Sequence, residues 1–463
     1  MFDQIEKIAF YLGLVGVVFL PFSLSLTQTF LYLGSLFLLV NLILFRKKVS
    51  IDFPYVFVAL YFWLFVISFL KGISAKEILS SEGKDVFLIL FFLWGYYFVQ
   101  SKYKNLLLKF INIVFILFLL IGFISLFLPF RLSNIFYHLQ NGFIFDGRIR
   151  AQHLVFPLDF LPISWNLNQQ SYPIGIYMPV GFSGTHLSFG SQISMISFYF
   201  LALFYLELFK NNYKNKILLF IISFYCMILL FFIHARSSIF GLSIMFLIFF
   251  LLVNIKLQKD HLYKKKIYNF YKLFILLVIL FSILILIGIL ESQTFKEKVL
   301  QTIGIEKKHT DYQRILLWYT AIRVFLENPI IGVGLNQFSK TIFEEILKIV
   351  QEKPLLWYHL YQTEIMHGHN DLIHFLVSGG LIAGIFYLMF FYFEFKNIQI
   401  FLQRFSPQNR NQNPFIIFLF LPIFLLFAGL LQCYLLDDYT MQLFWILYGI
   451  AKGILNQNNS KEE

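Results

Sequence analysis

The sequence predicts an all-α fold: a polytopic membrane protein with about 12 transmembrane helices and a large outer loop between the ninth and tenth. Three observations carry that expectation. The 463 residues are 59% hydrophobic and 13% charged, where a soluble domain carries about 25% charged residues. Mean hydropathy is +0.73. Apolar runs of the roughly 20 residues that a spanning helix needs recur along the whole chain. The 62 Phe residues suit lipid-facing surface or a compositional bias, so no function attaches to them. A net charge of +12 would suggest nucleic acid in a soluble protein. Here most lysines fall in short loops between apolar runs, where membrane topology accounts for them, and no nucleic-acid partner is expected. Cys226 and Cys433 lie in or beside apolar segments, in no zinc-like spacing and no disulfide framework.

Taken in order, the spans begin near Ile8, Thr27, Asp52, Asp85, Asn105, Ser188, Asn215, Ser237, Ile267, Asn370, Asn413 and Tyr439. The first pair and the last pair are joined by very short turns, so each pair is open to being one re-entrant hairpin. Without a basic region and small-residue cleavage site, Ile8 to Phe30 reads as retained membrane helix and not as a removed signal. The basic loops fall on one side if the spans alternate. They hold Arg46 to Lys48, then Lys102 and Lys104, then Lys210 to Lys216, then Lys256 to Lys266, then Lys396 to Arg410. The positive-inside rule makes that side cytoplasmic, with both termini there. Two long segments of the single membrane domain then face outward, residues 131–187 and 291–369. Lys264 to Lys266 could meet anionic lipid, although orientation alone accounts for them. No internal repeat, glycine-rich phosphate loop or dinucleotide fingerprint is visible.

Where the second long segment re-enters the bilayer, the chain reads HGHNDLIHFLVSGG, His367 to Gly380. His367, His369 and Asp371 fit the first three positions of a His-x-His-x-Asp-His binuclear metal pattern. Leu372 occupies the fourth, and the next histidine comes only at His374. On a helix, His374 lies about 500° on from His369, or about 140° away around the axis, so the two share no face. Asn370 suits a helix N-cap. Gly379, Gly380 and Gly384 suit close helix packing.

Several charges need an explanation. Arg236 sits in FFIHARSSIFG, between two spans with almost no loop. A charge at the bilayer centre costs roughly 2.5–3.5 kcal/mol on insertion scales and less at the interface. Arg236 is thus either a snorkelling interfacial arginine or an anion ligand. The stretch from Asp311 to Phe338, DYQRILLWYTAIRVFLENPIIGVGLNQF, has helical apolar spacing up to Phe325, then Asn328-Pro329 as a stop and a Gly-Val-Gly turn. Arg314 near its start is either solvated or functional. Asp437-Asp438 form a short outer turn. Glu364, His359 and His367 share the second outer loop. On this topology the arginines, the histidine and the acidic pair all reach the outer interface. Arginine presents a planar fork suited to phosphate oxygens, and histidine, with an ordinary pKa of about 6.5, can take a proton at neutral pH. Together they suit a substrate with its lipid tail in the bilayer and its phosphate at head-group level.

ENPIIGVGLNQF followed by HGHNDLIHFLVSGGLIAG resembles the signature of the O-antigen ligase/polymerase superfamily. That family shows a Pro-x-x-Gly-x-Gly turn, then His-Asn, nine residues, Gly-x-x-small. Here His369-Asn370 is followed by nine residues, Gly380 and Ala383. Ala383 departs mildly from the usual Gly, Thr or Val. HARSSIFG is similar to the family's Ser-Arg-Gly/Ser segment at a helix start, and Arg314-x-x-x-Trp318 also matches, in the family's order. VGFSGTHLSFGSQIS, Val180 to Ser194, is weakly similar to the segment before the sixth span. The resemblance is strongest from Arg236 to Gly384.

The resemblance implies a metal-independent glycosyltransferase at the outer face of a bacterial inner membrane, without a cofactor. Its donor would be an undecaprenyl-pyrophosphate-linked glycan. The acceptor would be lipid A core for a ligase, another lipid-linked repeat for a polymerase, or protein Ser/Thr for an O-oligosaccharyltransferase. His369 is expected as general base, with His367 as the fallback, and Arg236 and Arg314 as pyrophosphate ligands. Asn370 belongs to the same binding set. Trp318 is expected to pack on lipid or sugar, in a helix from Tyr312 to Phe325 that roofs the site. Asp437 or Asp438 is left to orient His369 or an arginine. The rival class is a transporter or flippase for a lipid-linked sugar, which would more naturally show repeats or broken helices, and neither is read here.

Overall fold

The computed structural model describes residues 2–45, 52–80, 82–134, 152–157, 164–167, 170–209, 213–257, 309–356, 367–405 and 413–459. The chain is mostly helical. Helices α1 (Phe2–Phe19), α2 (Leu24–Leu44), α3 (Tyr55–Leu70), α4 (Ile89–Val99), α5 (Lys104–Leu126), α6 (His186–Glu207), α7 (Tyr213–Ile233) and α8 (Arg236–Leu257) precede α9 (His309–Glu327) and α10 (Phe338–Glu352). Then come α11 (Asp371–Arg404), α12 (Leu421–Gly429) and α13 (Asp438–Asn459). Two 3-10 segments, Glu82–Leu88 and Pro414–Phe420, run into α4 and α12. A helix lies at or near each expected start except the ninth, near Ile267, which lies outside the described residues, as do the basic residues at 46–48, 210, 259–266 and 410, and His359 and Glu364. Among the described residues six helices are long and apolar enough to cross a membrane: Leu24–Leu44, Lys104–Leu126, His186–Glu207, Lys214–Ile233, Arg236–Leu257 and Asp371–Gln403.

The core is aromatic. Trp94 lies against Gly13 and donates to the Ala9 carbonyl at 3.0 Å, which joins α4 to α1. Phe57, Phe92 and Phe390 surround Trp445 of α13. α4 packs along α13, α3 along α11, and α8 along α12. A second, smaller core joins α9 and α10 through Leu317, Ala321, Val324, Phe338, Ile342 and Ile346, and reaches Val377 of α11. Arg323 closes its edge on Glu345 at 2.7 Å.

The structure adds one feature to the helical fold and corrects one expectation. First, the helices are accompanied by short strands. Residues 154–177 contain two antiparallel pairs: β1 (Leu154–Pro157) with β4 (Gly175–Tyr177), and between them β2 (Ser164–Leu167) with β3 (Gln170–Pro173). Gln152 and Val180, flanking these strands, both bond Ser125 of α5, at 3.1 and 3.2 Å. Second, α11 is broken. Gly380 has φ 68° and ψ −165° in mid-helix, so its role is a break and not helix–helix packing.

The break has a visible cause. The turn after α9 lays its backbone along the interruption: Val333 N–H donates to Val377 O at 2.8 Å and Gly334 N–H to Ser378 O at 2.7 Å. Leu381 N–H donates to Pro329 O at 2.8 Å. Backbone groups freed by the kink are thereby satisfied within the protein, as an apolar surround requires. Trp63 Nε1 adds a bond to Gly379 O at 2.8 Å. A Cβ on Gly380 would fall 2.1 Å from the Ile330 carbonyl oxygen, and one on Gly332 would fall 2.5 Å from the Gly379 nitrogen. The Pro-x-x-Gly-x-Gly turn and the Gly of the His-Asn motif are therefore one contact.

Candidate active site

The site is built where the first half of α11 begins. Asn370 caps that helix. Its Oδ1 accepts from Ile373 N–H at 3.0 Å, while its Nδ2 donates to Leu430 O at 2.9 Å, in the turn between α12 and α13. Asp371, fully buried, accepts from Leu435 N–H at 3.2 Å in the same turn. Two consecutive side chains thus fasten the helix start to residues 430–435. His369, just before the cap, is held at φ 47°, a left-handed conformation that costs a non-glycine residue free energy and clusters at functional sites. Its Nδ1 meets Gln432 Oε1 at 2.8 Å. Gln432 is 7% exposed; in the tautomer that donates from Nδ1 to its amide oxygen, Nε2 is the basic ring nitrogen.

Arg314 and Trp318 lie four residues apart on α9, on one face of that helix. Trp318 Nε1 donates to Gly368 O at 2.9 Å, which fixes the backbone beside His369; this bond was not anticipated. Arg314's positive charge reaches both His367 and Tyr434. Tyr434 is almost wholly buried, and its hydroxyl meets Ser237 Oγ at 2.8 Å and Ser238 Oγ at 2.6 Å. Those serines follow Arg236 in the first turn of α8. Tyr434 therefore links the α8 start, with Arg236, to the turn that holds Gln432. Before Arg236, His234 also has a positive φ, of 56°.

His367 and His369 meet edge to face, with ring centroids 4.4 Å apart. Burial, with His369, His374 and Arg314 nearby, pushes His367 down to about 3. Such an imidazole is neutral at physiological pH but a weak base, since effective catalytic bases sit near the working pH. His369 is the better candidate on geometry, because Gln432 holds its ring at Nδ1.

The acidic pair divides. Asp437 accepts from Ser188 Oγ at 3.0 Å and from the Thr440 hydroxyl. Burial raises its carboxyl to about 6, against those two hydrogen bonds and with Asp438's charge adding to the rise. Asp438 pairs with Lys84 at 3.4 Å. The side chain at His369 Nδ1 is Gln432, which sequence reading missed. The signal was faint: one amide in the apolar run LLQCYLL. The donors of the metal-like pattern also diverge. His369 turns to Gln432, Asp371 to the backbone of Leu435, and His374 to Glu82 at 3.4 Å. Among the described residues no three His, Cys, Asp or Glu side chains group as metal ligands do.

A family model described as O-antigen ligase matches residues 218–388. That stretch runs from within α7 to within α11 and contains Arg236, Arg314, Trp318, His369 and the Gly332–Gly380 contact. No curated protein matches the chain.

Proposed function

From a chain whose residues 218–388 belong to the O-antigen ligase/polymerase superfamily, we propose a glycosyltransferase that moves a glycan from undecaprenyl pyrophosphate to lipid A core at the outer face of the inner membrane. The observation that supports it best is the bonding around His369. One ring nitrogen is occupied by Gln432 and the preceding carbonyl by Trp318, one turn from Arg314. His369 Nε2 takes the proton of the acceptor hydroxyl as that oxygen attacks the anomeric carbon. The anomeric C–O bond to pyrophosphate breaks, and the electron pair leaves on the pyrophosphate. Arg236 and Arg314 stabilise that departing charge, which is the electrostatic part of catalysis. General-base assistance contributes about 10²–10⁴ in rate. Asn370 and Gln432 hold the base in place.

The test is a gene deletion complemented with wild type or His369→Ala, with envelope glycans resolved on a gel. Loss of the polysaccharide ladder, with full-length lipid-linked polymer accumulating, is expected for the deletion and for a normally folded His369→Ala protein. Retained transfer by that variant removes His369 as base. A single-repeat band on lipid A would instead indicate a polymerase, and an unchanged ladder with lighter glycoproteins a protein O-oligosaccharyltransferase. No change in any glycan would favour a lipid-linked sugar flippase, a class to which the break in α11 also lends some support.

A further inference from the structure

One buried pair of ionisable groups beside the site has no part in the chemistry above. Glu82 opens the 3-10 segment before α4, far outside the matched stretch. His374 lies one turn into α11 and is 1% exposed. Its Nε2 is 3.4 Å from Glu82 Oε1, and its ring lies against Phe338, the first residue of α10, with centroids 4.7 Å apart. The other Glu82 oxygen accepts from Asn336 N–H at 2.9 Å, and Glu82 N–H donates to Asn336 Oδ1 at 3.0 Å. Asn336 is held at φ 58°, so this reciprocal pair secures a residue in an unfavourable conformation. Burial by itself would push the Glu82 carboxyl up, yet His374 and the Asn336 N–H hold it below its usual value.

A buried carboxylate–imidazole contact is a poor source of stability, because desolvation offsets what the pairing contributes. Its placement suggests another use. Asn336 belongs to the loop leaving α9, the helix of Arg314 and Trp318. His374 belongs to the half-helix that follows His369. Glu82 grips both from a third segment. We propose that Glu82 and His374 are positioning residues that lock α9 and the first half of α11 in one register, so that Arg314 and His369 face the same substrate. The inference rests on the reading of those two residues as pyrophosphate ligand and base.

The experiment uses purified full-length protein, lipid-linked glycan extracted from the deletion strain as donor, and lipid A core as acceptor. Glu82→Gln keeps an oxygen for Asn336 and removes the carboxylate; His374→Gln removes the imidazole. Each single variant is expected to lose about tenfold in kcat through misplacement, with donor KM within about twofold of wild type. The double variant, with neither partner stranded, is expected to be no slower than either single one. Unchanged kcat in both single variants, a raised KM at unchanged kcat, or a double variant slowed by the product of the two would overturn the inference. Carbethoxylation of His369, followed by mass spectrometry, gives a readout that needs no turnover. A several-fold change in Glu82→Gln supports positioning and an unchanged rate rejects it. Should wild type itself transfer nothing, it is the proposed function that fails, and the carbethoxylation rate still decides this inference.

Discussion

At the scale of single residues, the site depends on a few polar atoms whose partners are fixed. Asp437 is one. Burial pushes its carboxyl up from the ordinary 3.8 to about 6, so the folded state binds more protons than the unfolded state between those values. Its contribution is favourable at low pH and is lost as pH rises through about 6. Asp437→Asn is therefore expected to raise stability at pH 8 by on the order of 1–2 kcal/mol, after discounting for partial exposure. The gain should vanish below about pH 4. Thermal melting in detergent at the two pH values checks this, and an equal gain at both would reject it. His367 works in the opposite direction. Its lowered value, about 3 against 6.5, costs stability as pH falls below about 6.5.

At the scale of elements, the break in α11 separates two glycines that look alike in sequence. Gly380 needs a positive φ and lies against the Ile330 carbonyl, whereas a Cβ on Gly384 would meet only side-chain atoms, first the end of Leu376. Gly380→Ala should cost more than about 2 kcal/mol and disturb the turn that follows α9. Gly384→Ala should cost less than about 1 kcal/mol, because a flexible side chain can give way. Melting temperatures of the two variants, compared side by side, test the contact; equal effects would mean that the turn does not dock there. From sequence, both glycines read as packing residues in a continuous span. Nothing in SGGLIAG distinguishes them, because the atom that does so belongs to Ile330.

At the scale of the whole molecule, the two ends of the helix bundle carry different chemistry. From Asp438 to Lys452 along α13 is about 21 Å at 1.5 Å per residue. At the far end Lys452, 3% exposed, contacts Asp52 at 2.5 Å and Glu394 at 3.4 Å, and Glu394 also accepts from Asn397 at 2.7 Å. This cluster joins α11 and α13 to the residues just before α3. Lys452→Met would strand Glu394, at a cost of about 3–5 kcal/mol, and adding Glu394→Gln should recover most of it. Unfolding in mixed micelles measures both; no recovery would mean that the two charges are not coupled. Orientation has its own check. Lys48→Cys should react with an impermeant maleimide only from the cytoplasmic side, and Lys340→Cys on α10 only from the other. Labelling of both from one side would overturn the orientation drawn from the basic loops.

Much was settled by the sequence alone. The positions of the helices follow from runs of consecutive apolar residues, and Asn370 caps its helix as its place before such a run implies. The order Arg236, Arg314, His369 is likewise written in the chain, as is the pair of motifs that resembles the family. These are local properties, because lipid burial and helix capping depend on neighbours in sequence. Tertiary structure decided the rest. Gln432 meets His369 from 63 residues away, and Tyr434 meets Ser237 from 197. Glu82 reaches His374 from a segment that no motif marks. Gly380 breaks a helix that its own sequence would continue, because the turn at Ile330 supplies the backbone partners. A hydrogen bond between distant segments requires both to arrive in register, and only the packing of the whole bundle fixes that.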